Sequence, residues 1–293
     1  MKAVWSKFEK LDLPAFEPND FRETLDGGQS FRWNKTEADS DANPEYFGVF
    51  GKNAAILRLS KNGDVLCSVL KGMERARKAA QLYLDGRRDY QSLRESLAAA
   101  GDPIMSRALK IYPTLRILRQ DCAEALMCFI CSSSKRIAQI KQCVALLAEN
   151  FGEEIADGIF ALPTFERLAR AELGDIKKCK LGFRAAYMKK SAEKILSEKF
   201  EPEELRAAPY ADAKKYLLSL SGVGEKVADC ILLFGAAKME AFPVDTWIKK
   251  AMAQLYGTPE NPDKIREFAA RKFGKNAGFA QQLIFAAKRK NLL

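Results

Sequence analysis

Histidine does not occur once in the 293 residues. That absence removes imidazole as general base, metal ligand or triad member, and leaves lysine, aspartate and glutamate as the candidates for acid–base or covalent chemistry. The sequence also lacks any run of about eighteen apolar residues, and its N-terminus lacks the apolar segment of a secretory leader. An intracellular protein without a membrane span is expected. Seven cysteines, an odd number scattered through apolar surroundings, argue against a disulfide framework and for reduced core thiols. Cys128 and Cys131 form a C-x-x-C, but they sit in the helical run Glu124-Ala-Leu-Met-Cys-Phe-Ile-Cys131 with no second pair at ligand spacing. No metal site is therefore expected. Internal repeats and low-complexity segments are missing too.

What is present is basic. With 48 Lys+Arg against 38 Asp+Glu the formal charge is +10 and the pI about 9.2, a balance that favours a polyanionic partner. A hydrophobic fraction of 47% allows a sizeable core. The character of the chain changes near residue 110. Before it, Glu45–Phe50, Ala55–Leu59 and Asp64–Val69 read as short strands separated by Gly, Asn and Lys turns, which predicts an antiparallel sheet. Residues 73–84 and 91–100 read as helices that could cover one face of it. From Asp121 onward almost every segment reads as helix; Ile137, Ile140, Val144 and Leu147 make one stripe and Thr164 can cap another helix. The expected fold class is α+β, with an antiparallel sheet domain over 1–110 and a helical region over 111–293. Asp39–Pro44 is expected to be a mobile loop and the basic end Lys288–Lys290 to fray.

The most informative stretch is Ser219-Leu-Ser-Gly-Val-Gly-Glu-Lys226-Val-Ala-Asp-Cys230. Asp212 is expected to cap a helix that ends at Leu218, Gly222 and Gly224 to supply a tight turn, and a second helix to run from Glu225 to Gly235. Such a helix-hairpin-helix leaves the N–H groups of Gly222, Val223 and Gly224 beside a helix N-terminus, a natural seat for phosphate. On the second helix Val227, Ile231 and Phe234 form the buried stripe, and Lys226 and Cys230 lie one above the other at its edge. Partial burial and the positive end of the helix both disfavour the charged ammonium, which frees amine for attack. Taken alone, a solvated surface lysine is the plainer reading. Asp245, in Pro243-Val-Asp245, precedes a helix whose stripe is Ile248, Met252 and Leu255, so it reads as an N-cap. Cap donors also keep a carboxylate ionised and fixed in direction, which suits a cationic sugar intermediate.

With these residues the chain resembles the helix-hairpin-helix superfamily of DNA base-excision glycosylases. Within it, Gly27-Gly-Gln-Ser-Phe-Arg-Trp33 and Phe129-Ile-Cys-Ser-Ser133 are similar to segments of the 8-oxoguanine DNA glycosylases, as more weakly are Leu181-Gly-Phe-Arg184 and Ala277-Gly-Phe-Ala-Gln281. The resemblance implies a monomer that acts on double-stranded DNA containing an oxidised guanine, in the cytoplasm and nucleoid or in the nucleus, without a cofactor. Some relatives carry a four-cysteine iron–sulfur cluster near the C-terminus; this chain has no cysteine after Cys230. The implied roles are Lys226 as nucleophile, Asp245 as stabiliser of sugar charge, and Gly28, Cys230, Gln281 and Phe285 as the base pocket. Phe183 would be the wedge and Arg184 the reader of the orphaned base. Ser134, Lys135 and Trp247 would lie along the DNA with the hairpin.

Departures from the family's pattern accompany the matches. Where members have an asparagine run followed by an arginine, this chain has Ser134, Lys135, Arg136 and Gln139, which predicts a weaker preference for cytosine opposite the lesion. Trp247 stands where many have histidine, and Ser221 where many have proline. Two other readings stay open on these residues: a glycosylase of the same superfamily for another damaged base, and a non-catalytic duplex-binding module.

Overall fold

A computed structural model describes residues 3–293. The N-terminal part is built on a five-stranded antiparallel sheet of β1 (Glu9–Lys10), β2 (Trp33–Lys35), β3 (Glu45–Phe50), β4 (Asn53–Leu59) and β5 (Val65–Val69), in the order β1-β5-β4-β3-β2. The three strands expected from the alternating pattern form its centre. Tyr46 on β3 lies opposite Leu57 on β4, which lies opposite Cys67 on β5. This row faces an apolar core that also holds Phe21, Leu25, Trp33 and Tyr83. The edge strands β1 and β2 are too short to show a period of two.

Helices dominate the regular structure after it, so the α+β expectation matches the observed architecture. Helix Arg75–Tyr83 covers the sheet. Helix Tyr90–Ala98, which was expected to do the same, instead sends Leu93 and Leu97 into the large helical core with Met105, Leu126, Ile231 and Phe279. Its long apolar side chains find more surface there. Tyr112 ties this region to the C-terminal helix Ala277–Arg289 by donating to the Ala286 carbonyl at 3.3 Å. Thr164 caps its helix as expected, accepting from the Arg167 N–H at 3.2 Å. A short hairpin, Glu154–Ala156 with Ile159–Phe160, interrupts the helical succession.

Two segments expected to be mobile carry side-chain contacts. Asp39 accepts from the Arg22 guanidinium at 2.9 and 3.1 Å and from the Glu45 N–H at 3.0 Å, which pins the start of the 39–44 loop. At the basic C-terminal end, Lys288 and Arg289 are helical, and Arg289 is paired with the buried Glu23. All seven cysteines are free and buried. Among the described residues no helix is long and apolar enough to cross a membrane, and no group of three His, Cys, Asp or Glu side chains is placed to hold a metal ion.

One buried carboxyl gives the fold a pH signature. Glu124, on helix Cys122–Ser132, has no partner for Oε1 among the described residues, and burial pushes its carboxyl up from 4.5 to about 7 against the pull of Arg32. Because the folded state favours the protonated form, this carboxyl's contribution to stability falls as pH rises from about 4.5 through about 7 and is level above that. Thermal melting from pH 5 to 8 should show this slope in the wild type and a flatter profile for Glu124→Gln, with a difference of a few degrees. Parallel profiles would contradict it.

Candidate active site

The lysine and the aspartate reach one cavity from different helices. Helix Tyr210–Leu218 and helix Glu225–Phe234 form the hairpin. The first starts from Pro209 and not from Asp212, which lies in its first turn: proline's fixed φ already suits the entry to a helix, so the chain turns helical earlier. Between the helices, Gly222 takes φ +80° and approaches the Tyr187 ring so closely that a Cβ would lie 2.7 Å from the Tyr187 Cβ. A side chain there would meet both backbone strain and a clash. Gly224 is extended and serves as N-cap. The Val223 N–H donates to the Leu220 carbonyl at 3.3 Å and its side chain is buried, whereas the N–H groups of Gly222 and Gly224 find no acceptor among the described residues.

Helix Glu225–Phe234 is buried along most of its length, including Val227, Ile231 and Phe234. Lys226, near its start, is half-buried and places Nζ 5.4 Å from the centre of the Phe129 ring. No carboxylate among the described residues lies within 4.0 Å of that amine. Cys230, one turn on, is buried, and burial pushes its thiol up to about 11, although the neighbouring Lys226 pulls the other way. The sulfur is therefore a neutral, apolar wall at neutral pH. Asp245 caps helix Thr246–Tyr256, its Oδ1 accepting from the Ile248 N–H at 2.8 Å. That bond fixes the direction of the carboxylate.

Both side chains line a cavity of about 780 Å³, which Gly28, Ser134, Lys135, Cys230, Trp247, Gln281 and Phe285 also line. Nine residues picked from the sequence thus share one hollow. Gly28 takes φ +103°, and the loop that carries it is held by the buried Gln29. The Gln29 amide donates to the Arg116 carbonyl at 2.8 Å and accepts from the Leu118 N–H at 2.9 Å, while its own carbonyl accepts from Gln120 at 2.6 Å. The Gln120 N–H in turn donates to the Phe234 carbonyl at 2.9 Å, which links the Gly28 loop to the end of the lysine helix. Across the hollow, Gln281 donates to the Pro243 carbonyl at 3.2 Å and keeps a buried Oε1 without a partner. An unpartnered buried acceptor is a site for a donor from a ligand.

Phe183, Arg184 and the hairpin glycines lie outside this cavity. Phe183 is 59% exposed and meets Tyr187 edge-on with ring centres 5.6 Å apart. Arg184 is buried: it donates to the Ser133 carbonyl, and its Cζ stands 4.3 Å from the centre of the Phe183 ring. Lys135 donates to the Lys180 carbonyl at 3.1 Å. Trp247, 54% exposed, stands in the first turn of the aspartate's helix.

Known proteins resemble this chain along most of its length. Residues 11–126 match the 8-oxoguanine DNA glycosylase N-terminal domain, and residues 127–275 match the HhH-GPD superfamily of base excision DNA repair proteins. The N-glycosylase/DNA lyase OGG1 of Arabidopsis thaliana is 30% identical over 286 residues, covering 90% of this chain and 76% of that protein. The chain belongs to the 8-oxoguanine DNA glycosylase family. Among solved structures similar to this family member is the Clostridium acetobutylicum 8-oxoguanine glycosylase/lyase in complex with double-stranded DNA containing cytosine opposite 8-oxoG. It has a TM-score of 0.84 at 32% identity, with 100% of both chains covered. MBOgg1 in complex with a low affinity DNA ligand gives a TM-score of 0.86 at 33% identity, with 99% of each covered.

Two side chains of this family member escaped the sequence reading. Gln282 is buried in the cavity wall with Nε2 unpartnered. A second amide on the apolar face of Ala277–Arg289 was the available signal. Tyr187 braces both Phe183 and the hairpin turn, and its place four residues after Phe183 on one helix face could have indicated it.

Proposed function

We propose that this protein removes 8-oxoguanine from duplex DNA in base-excision repair and then cuts the strand at the same site, through a covalent bond to Lys226. The observation that carries this reading is the meeting of an amine that has no carboxylate within 4.0 Å among the described residues with a carboxylate fixed by a helix cap, in a hollow that also holds the Gly28 loop. The lesion must leave the stack to reach such a hollow. Lys226 attacks C1′ as the neutral amine while the bond from C1′ to the base breaks and the base leaves with the electron pair. Asp245 stabilises the positive charge that builds on the sugar. Ring opening gives the Schiff base, which acidifies C2′; loss of that proton expels the 3′ phosphate and nicks the strand.

Base choice rests on the Gly28 carbonyl. Oxidised guanine carries a proton on N7 that donates to this oxygen, whereas guanine N7 is itself an acceptor. Two desolvated acceptors facing each other cost on the order of 1–3 kcal/mol. The unpartnered Gln281 Oε1 accepts from the Watson–Crick edge, and the base lies between Phe285 and the neutral Cys230 sulfur. Phe183 enters the gap left in the stack, and the hairpin and Trp247 hold the backbone. The protein works as a monomer associated with DNA, in the cytoplasm and nucleoid or in the nucleus.

On the opposite strand the reading is weak. Gln139 is engaged with its own helix start, accepting from the Arg136 N–H at 3.0 Å, and Arg184 is the one arginine left at the family's two reading positions. Losing a good bidentate contact costs about 1–3 kcal/mol of discrimination. Single-turnover excision of 8-oxoguanine opposite each of the four bases, with undamaged guanine and other lesions as comparison, tests both readings. Rates within about tenfold across opposite bases, all well above those for the other substrates, are expected. A hundredfold preference for cytosine would contradict the first reading, and faster removal of another lesion the second.

A further inference from the structure

The basic C-terminal end is tied to the lesion-reading loop by a buried ion pair. Glu23, on helix Pro18–Asp26, is four residues before Gly27, and its side chain is 1% exposed. Both carboxyl oxygens accept from Arg289 Nη2, at 2.9 and 2.7 Å, and Lys290 Nζ stands 3.7 Å from Oε2. Gly27 makes room for this path: a Cβ there would lie 2.3 Å from Glu23 Oε1 and 2.2 Å from the Glu23 carbonyl oxygen. The Gly27 N–H also donates to that carbonyl at 2.9 Å. Arg289 is the last residue of the helix that carries Gln281 and Phe285, and its Cζ lies 5.6 Å from the Phe285 ring centre. One carboxylate therefore joins the Gly28 wall of the hollow to the Gln281 and Phe285 wall, across 266 residues of sequence.

We infer that Glu23 is a positioning residue which, through Arg289, sets the spacing between these two walls and so governs removal of the base, while leaving Lys226 chemistry on a baseless sugar untouched. The inference rests on the proposed function. A base must fit between the walls to be excised; an abasic sugar has no base to fit. A hydrogen bond from a charged donor to a charged acceptor in a buried place holds geometry more firmly than its neutral substitute. The carboxylate has no role as acid or base here, since it touches no reacting atom.

The test compares two single-turnover rates, 8-oxoguanine excision from duplex DNA and strand cleavage at a preformed abasic site, in wild type, Glu23→Gln, Arg289→Gln, Arg289→Lys and the Glu23→Gln/Arg289→Gln double variant. Excision should fall about tenfold in each glutamine variant, and no further in the double variant, because both changes break the same link. Abasic-site cleavage and DNA affinity should stay within about twofold of wild type in Glu23→Gln and Arg289→Lys, which keep the positive charge in the hollow, and Arg289→Lys should recover most of the excision rate. Unchanged excision, or a parallel fall in both activities, would overturn the inference. Arg289 also lines the hollow, so its variants are read together with Glu23→Gln, which leaves the Arg289 side chain in place; where Glu23→Gln fails to fold, Glu23→Asp, which keeps the charge but shortens the reach, replaces it and should lower excision alone. A wild type that traps on abasic DNA yet ignores 8-oxoguanine would overturn the proposed function instead.

Discussion

Lys226→Gln should abolish the borohydride-trapped complex with 8-oxoguanine duplex, stop strand cleavage, and lower single-turnover excision by about four orders of magnitude, the scale on which loss of a catalytic nucleophile acts. The Lys226 amine has a sheltered setting. It is half-buried against Phe129 and Cys230, and no carboxylate stands close enough to hold it as a permanent ion pair. The buried carboxylate of the same helix, Asp229, is taken up elsewhere: Tyr210 donates to it at 2.6 Å and Lys214 lies 2.9 Å away. Glutamine keeps the length and polarity of lysine without its nucleophilicity, so the cavity and the DNA surface persist. Affinity for undamaged duplex should stay within a few-fold of wild type. Robust trapping by the variant would remove Lys226 from the reaction.

Asp245→Asn should slow excision by about a hundredfold to a thousandfold, the effect of removing one oriented electrostatic contact from a transition state. The Ile248 N–H can still donate to the asparagine oxygen, so the cap and the helix remain. What disappears is the negative charge facing the sugar. DNA binding should be retained, and melting temperature should change little because asparagine is as good an N-cap as aspartate. Single-turnover rates equal to wild type would assign Asp245 to capping alone. A large fall in melting temperature with a proportionate fall in activity would point the same way.

The parts legible in the sequence were those whose signal is local. The central strands showed because Tyr46, Leu57 and Cys67 sit in alternating runs long enough to read. The hairpin showed through its glycines, Lys226 through its place beside them, and Asp245 through the helix start that it caps three residues on. Features set by partners far along the chain did not show. The end Lys288–Lys290 reads as a frayed basic tail until Glu23, 266 residues earlier than Arg289, is placed beneath it. Gln29 stood inside a motif, but its part in holding the Gly28 loop depends on Arg116, Leu118 and Gln120. Helix Tyr90–Ala98 was amphipathic enough to recognise, and its choice between two cores was a matter of tertiary packing. Asp212 has the chemistry of a cap, but Pro209 begins the helix without a side-chain acceptor.

The identity of the attached residue is the most direct test of the covalent mechanism. Wild-type protein trapped with borohydride on 8-oxoguanine duplex, digested with nuclease and trypsin and sequenced by mass spectrometry, should carry the sugar remnant on Lys226. The modified lysine would resist trypsin and appear inside a peptide running from Tyr216 to Lys238. Attachment at another lysine, Lys249 or Lys135 for example, or a failure to trap while excision proceeds, would contradict it.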